Sequence, residues 1–259
     1  MIDTHTHIYF AADYPDGGSV GAVDRALEAG VSHMVLPNVD LSSMEPLLEL
    51  HHLRPDVTSV AVGMHPEEID SDWRAKTDDV FARFEGESPV AVGEIGIDLY
   101  HDRTYRFEQM DAFGYQLDLA MSMRKPVIIH CREALDEVME MIGSMGDGLP
   151  PLVFHSFTYG PAEAERVLRL PDTVIGINGV ATFKNAPEVR EAVALAGIGR
   201  IVLETDSPYL APVPKRGRTN ESSYLPYIRD KVAGICGVSA EEAERATDAT
   251  ARKIFRLPT

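Results

Sequence analysis

"RIVLETD", residues 200–206, sets a short apolar run, Ile201–Leu203, directly before two carboxylates, Glu204 and Asp206. Alternate residues of a strand share a face, so Glu204 and Asp206 project together. An almost wholly apolar run is what a strand covered on both faces requires. A carboxylate at its end is costly to bury unless it is paired or metal-bound. The same design recurs along the chain: "PVIIH" (126–130) ends in His130, "LVFH" (152–155) in His155, and "PVAVGE" (89–94) in Glu94. The first run, "MIDTHT", leads into His5 and His7, which alternation puts on one face together with Asp3. Three further runs, "HMVLPN" (33–38), "VTSVAVG" (57–63) and "TVIGIN" (173–178), complete a set of eight predicted strands.

Helix-like segments separate them, at 19–30, 42–53, 72–85, 105–124, 132–144, 161–169 and 186–196. In 105–124 a helical face is predicted from Phe107, Met110, Phe113, Leu117, Ala120 and Met121, which recur at three- and four-residue steps. A last helix is predicted over 239–256, where Ser239 and Glu242 form a capping box. Strands alternating with helices pair in parallel through crossovers. A doubly wound open sheet would carry a Gly-rich nucleotide loop, and "GEIGID" (93–98) is not one. Eight such units in a chain near the usual length of roughly 250 residues predict a (β/α)8 TIM barrel. The barrel is expected to form a single domain over residues 1–259, with 207–222 as the long loop after the eighth strand.

In a barrel the C-terminal ends of all strands open onto one face, where the active sites of this fold lie. His5, His7, Glu94, His130, His155 and Asp206 therefore converge from five strands. Imidazoles and carboxylates in that number suit two divalent ions, with Glu94 as the natural bridge. Such a pair, typically ~3.5–4 Å apart, acidifies a water and clamps the attacking and leaving oxygens of a displacement. Zinc, magnesium and manganese all accept such ligands. Asp206 is placed to bind one ion and accept the water's proton, so Asp206 and Glu94 are the expected catalytic residues. Glu204, deeper on the same face, is expected to orient a ligand.

Composition narrows the partners. With 41 acidic and 24 basic residues the formal net charge is −17, which opposes an extended nucleic-acid tract. It permits nucleic-acid ends or a small phosphodiester held by metal charge. The apolar runs are too short to span a bilayer, and no signal peptide is apparent. The two cysteines, Cys131 and Cys236, form no disulfide framework. A cytoplasmic protein, a monomer or a small homo-oligomer, is expected.

Taken together, "DTHTH" (3–7), "GMHP" (63–66), "AVGEIGIDLY" (91–100), "PVIIHCREA" (126–134), "FHSFT" (154–158), "LETDSPYLAP" (203–212) and "TNES" (219–222) resemble the TatD family of metal-dependent deoxyribonucleases, within the amidohydrolase superfamily. The resemblance covers nearly the whole chain. It implies a (β/α)8 barrel, exonuclease-type phosphodiester hydrolysis of DNA, and a division of ligands. His5, His7, Glu94 and Asp206 would hold one ion, and Glu94, His130 and His155 the second. The chain departs from the family pattern at Thr219 and Ser222, which flank Asn220 and Glu221 where Arg and Pro are usual. Arg216 and Arg218 stand near enough to replace the lost arginine. Tyr159 replaces a glycine, and Glu67 a histidine.

His65, Arg132 and Lys184 are candidate substrate contacts, each with an alternative: bracing a loop, capping a carboxylate, or standing solvated. Tyr159 is a packing residue or a base-stacking one. Cys131 is expected to be a buried thiol rather than a nucleophile. His33, His51, His52 and His101 are expected to be structural or on the surface. Two other functions fit the same ligands: hydrolysis of an ester, lactone or amide (an aminoacyl ester, for example), and a non-catalytic metal-stabilised binding protein.

Overall fold

Each apolar run becomes a strand in the computed structural model, which describes residues 1–100, 102–146 and 148–257. The strands are β1 Ile2–Asp3, β2 His33–Pro37, β3 Thr58–Val62, β4 Ala91–Asp98, β5 Val127–Arg132, β6 Leu152–Phe154, β7 Thr173–Ile177 and β8 Ile201–Leu203. They form one sheet in chain order, with every neighbouring pair parallel. Backbone bonds join its two edges. Thr4 N–H donates to Leu203 C=O at 2.9 Å, Asp206 N–H to His5 C=O at 2.9 Å, and His7 N–H to Ser207 C=O at 2.8 Å. The architecture is the expected TIM barrel.

The helices are α1 Gly18–Glu28, α2 Met44–Leu53, α3 Trp73–Arg83, α4 Arg106–Met123, α5 Leu135–Ser144, α6 Pro161–Leu168, α7 Pro187–Ala196, α8 Leu225–Cys236 and α9 Ala240–Phe255. Ser239 caps α9 as its sequence predicts, the hydroxyl accepting from Glu242 N–H at 3.1 Å. Helix α8 lies in a stretch to which the sequence reading assigned no element; Leu225, Ile228, Val232 and Ala233 bury its inner face.

Helix α4 forms where expected, but its buried stripe is rotated. Phe107 is 70% exposed, while Gln109 and Gln116 are buried beside Phe113, Leu117 and Ala120. The two amides turn inward because unpaired backbone groups wait there. Gln116 accepts from Met64 N–H at 2.8 Å and donates to Met64 C=O at 3.2 Å; Gln109 accepts from Asp98 N–H at 2.9 Å.

The lower barrel is filled by one residue from every strand: Ile2, Val35, Ala61, Ala91, Ile128, Val153, Val174 and Val202. Ala251, Ile254 and Phe255 of α9, with Leu257, close it from below. His33 shares the lumen face of β2 with Val35, two residues below it, and sits on Ser59 Oγ (2.8 Å). His51 lies on Thr58 Oγ1 (2.9 Å), and His52 is exposed beside Glu87. His101 lies outside the described residues.

Candidate metal centre

Two residues above the apolar layer the lumen changes character. Ile128 is followed on its face by His130, Val153 by His155, and Val202 by Glu204 and Asp206, all by simple alternation. β1 and β4 reach the same level by irregularity. Regular pairing of β1 stops at Asp3 and the chain bends through Thr4 and His5. The bend separates Asp3 from the two histidines, against the alternation expected of a longer strand. Asp3 instead accepts from Thr205 N–H at 2.9 Å and from the Thr205 hydroxyl at 2.6 Å. In β4 the register against β5 shifts between Val92 and Ile95, which aims Glu94 inward although Ala91 already faces the lumen.

The six predicted ligands meet at the mouth. Glu94 Oε2 lies 3.1 Å from His5 Nε2 and 3.6 Å from His7 Nε2, and Asp206 Oδ1 lies 3.9 and 3.7 Å from the same nitrogens. Glu94 Oε1 faces another set: His130 Nδ1 at 2.7 Å, His155 Nε2 at 2.7 Å and His65 Nε2 at 3.4 Å. The two oxygens of one carboxylate thus address different imidazoles. His65, expected as a substrate contact or a loop brace, stands within this second set. It also accepts from Glu67 N–H through Nδ1 at 3.1 Å.

Two outer groups hold the imidazoles from behind. His130 Nε2 lies 2.8 Å from Asp98 Oδ2. Asp98 was missed in the sequence, although it follows Glu94 by four on the same strand. Glu204, fully buried, takes a bond from Ser156 N–H and lies 3.5 Å from His155 Nδ1. Ligand-type atoms of His5, His155 and Glu204 fall within 4.8 Å of one another. Gly176 makes room for this carboxylate, since a Cβ there would come 2.2 Å from Oε2.

The donor set fits divalent cations. Ligand atoms of His5, His7 and Asp206 lie within 4.8 Å of one another, as do those of His65, Glu94 and His130. They are nitrogens and carboxylate oxygens, the mixture that zinc, manganese and magnesium sites draw on. Among the described residues His5 Nδ1, His155 Nδ1 and Glu204 Oε2 are buried without hydrogen-bond partners, so the cluster is not a self-satisfied polar core.

Crowding drives the electrostatics. Burial acts to raise the Glu94 carboxyl, but the imidazoles of His155, His5, His65 and His130 hold it well below the ordinary range. Burial works against the His130 imidazolium, yet Asp98 and Glu94 lift it to about 9. Glu94 and Glu204 likewise raise His155, whereas burial and the His155 charge drive His5 down. Burial pushes Asp206 up to about 6, with His155 and His7 opposing it.

A cavity of about 620 Å³ opens above the cluster, lined among others by His7, Phe10, Glu67, Glu68, Arg132, Ser156, Thr158 and Tyr209. Arg132 belongs to this lining, its guanidinium 3.8 Å over the Tyr100 ring. Lys184 is exposed and does not line it. Tyr159 packs on Phe157 and lies 3.5 Å from Cys131 Sγ. Burial pushes the Cys131 thiol up to about 12, as expected of an inert cysteine. Below the mouth, Asn220 donates to Thr205 C=O at 2.8 Å and Tyr209 C=O at 2.6 Å, and Glu221 pairs with Arg25 at 2.7 Å. Those contacts pin the loop after β8.

Known proteins share this arrangement of sequence and fold. The family model described as TatD related DNase matches residues 2–256. The chain is 36% identical over 243 residues to the 3'-5' ssDNA/RNA exonuclease TatD of Erwinia billingiae (strain Eb661), covering 91% of this chain and 92% of that protein. It is 30% identical over 259 residues to the uncharacterized metal-dependent hydrolase YabD of Bacillus subtilis (strain 168), covering 99% of each. The crystal structure of YJJV, a TatD homolog from Escherichia coli K12, superposes with a TM-score of 0.88 at 27% identity, over 100% of this chain and 98% of that one. Among the described residues no helix is long and apolar enough to cross a membrane. A chain matched from Ile2 to Arg256 by that model, with such relatives, belongs to the TatD-related DNase family of metal-dependent hydrolases.

Proposed function

We propose that this chain hydrolyses phosphodiester bonds at the ends of single-stranded nucleic acid, using two divalent ions of zinc, magnesium or manganese. The observation that carries the reading is the split engagement of Glu94, one oxygen toward His5 and His7 and the other toward His130, His155 and His65. A relative at 36% identity named for 3'-5' exonuclease action on single-stranded DNA and RNA supports the substrate class.

His5, His7, Asp206 and Glu94 would hold one ion; Glu94, His130 and His155, with His65 beside them, would hold the other. Bound there, such ions acidify water and neutralise phosphoryl charge. Asp206 accepts the proton of the attacking water, its Oδ1 standing at the mouth 3.9 and 3.7 Å from the Nε2 atoms of His5 and His7. Asp98 and Glu204 keep His130 and His155 oriented from behind. Arg132, on the cavity wall, faces the phosphate that is cut.

Incubation of metal-loaded protein with 3′-labelled single-stranded DNA tests the reading. Stepwise release of nucleotides with magnesium, manganese or zinc is expected. Turnover confined to lactones or aminoacyl esters would transfer the site to amidohydrolase-type chemistry. No turnover on any of these substrates would leave a metal-stabilised binding protein.

A further inference from the structure

The rim of the cavity is divided by charge in a way that the metal cluster does not explain. Loops after β2 and β3 carry Asp40, Glu67 and Glu68. Across the mouth, the loops after β7 and β8 carry Lys184, Lys215, Arg216 and Arg218. These two loops are fastened together: Val213 N–H donates to Thr182 Oγ1 at 2.8 Å, and the Arg216 guanidinium lies 3.8 Å over the Phe183 ring. Arg25, Arg54, Arg106 and Arg229 are each paired with a carboxylate. Among the described residues the four rim cations have no such partner, in a chain of net charge −17. Between rim and cluster stands Tyr209, 58% exposed, on the cavity wall with its ring centroid 6.5 Å from that of His7.

Asp206, Tyr209 and the 215–218 arm follow one another on a single loop. We propose that this loop and its β7 neighbour form a short binding track for a single polynucleotide strand. The base beside the scissile phosphate stacks on Tyr209, and the following phosphates lie on Lys215, Arg216 and Arg218, with Lys184 alongside. The proposal rests on the nuclease reading and adds the direction in which the strand leaves the site. Unpaired bases suit an exposed ring because stacking is sequence-tolerant. Guanidinium groups suit phosphates because their fork matches the oxygens. The acidic rim opposite excludes the strand from that side, so a strongly acidic protein handles a polyanion through one local surface.

Fluorescence anisotropy of a 5′-fluorescein oligothymidylate, blocked by a phosphorothioate at its 3′-terminal linkage, reads binding without turnover. Replacing Lys215, Arg216 and Arg218 together by Gln is expected to weaken binding at least about tenfold. Three fewer phosphate contacts should make the slope of log affinity against log salt shallower by about 2. The charge-keeping set Lys215→Arg, Arg216→Lys and Arg218→Lys should restore that slope, and metal content should report an intact site. Tyr209→Leu should weaken binding about tenfold with the slope unchanged, and Tyr209→Phe should not. A Gln set with the wild-type salt slope overturns the track, whatever its affinity. Shortening of unblocked oligothymidylate with that same result overturns the track alone; binding with the expected slopes and no shortening overturns the nuclease reading alone.

Discussion

The two halves of the barrel lumen are built by the same eight strands and differ in almost every physical respect. The lower half is one apolar side chain per strand, closed by Phe255 and its neighbours in α9. The upper half packs five imidazoles and four carboxylates, those of His5, His7, His65, His130, His155, Glu94, Asp98, Glu204 and Asp206, where bare burial is costly. Only a step of two residues separates Ile128 from His130 or Val153 from His155. The lower layer contributes stability directly, through buried area. The upper layer draws on it, because mutually repelling or neutralised groups are held together by a scaffold that is stabilised elsewhere.

Glu94 is the sharpest point of that contrast. Glu94→Ala removes both oxygens that separate the two imidazole sets, so neither set should retain an ion, and turnover should fall about a thousandfold or more. By comparison, His5→Ala with His7→Ala should empty only the set shared with Asp206. Metal analysis of the purified variants checks both, and loss of a single ion in Glu94→Ala would break the assignment of the bridge. In the lower half, Phe255→Ala should cost about 3–5 kcal/mol of stability while metal content stays at the wild-type level. Denaturant unfolding beside metal analysis measures the two effects separately. A Phe255 variant that kept its stability but lost its metals would abolish the division of labour.

Acid should act at the bottom of the lower half, at His33 beneath Val35. Burial, with the charges of Arg252 and His51, pulls His33 down from 6.5 to about 4. Its neutral form is therefore the one that the fold accepts. The stability it protects is complete above pH 6.5, falls as pH drops below that value, and levels off near pH 4. At about 1.4 kcal/mol for each pH unit across that window, the loss reaches about 3 kcal/mol. Denaturant melts of wild type and His33→Gln across the same range should converge at low pH; parallel curves would show that His33 carries none of the slope.

The contrast between the halves also explains which residues were legible. Strands β5, β6 and β8 keep strict alternation, so His130, His155, Glu204 and Asp206 could be read from the spacing of apolar residues alone. For β1 and β4, His5, His7 and Glu94 reach the cluster although the alternation rule fails there. A bend moves Asp3 away from His5 and His7, and a register shift turns Glu94 inward. Neither leaves a mark in hydrophobic pattern, and it was their place at the ends of apolar runs, not the true local geometry, that brought those residues into the predicted cluster. Asp98 was within reach, four residues beyond Glu94. The buried amides of α4 were not, because their partners are backbone groups of Met64 and Asp98 that local sequence cannot place. Helix α8 escaped because its apolar face is short, interrupted and preceded by a Pro-rich loop.

Glu204 lies at the boundary between the two halves and gives the finest test. His5 and His155 turn Nε2 toward Glu94, so each, when neutral and ligating, carries its proton on Nδ1. The two rings are stacked at 3.8 Å; His155 Nδ1 lies 3.5 Å from Glu204 Oε1, and ligand-type atoms of His5, His155 and Glu204 fall within 4.8 Å of one another. One His belongs to each proposed ion, so a single carboxylate stands behind both. Gln at this position keeps the volume but removes the negative charge and turns one acceptor oxygen into an NH₂ donor. Glu204→Gln should therefore loosen both ions together, by about tenfold to a hundredfold in affinity. Graded chelator competition on each ion measures this, with an unfolding midpoint in metal-free protein as the control for folding. If only the His130–His155 ion loosens, Glu204 serves His155 alone. The two sets would then be coupled through Glu94 and nothing deeper.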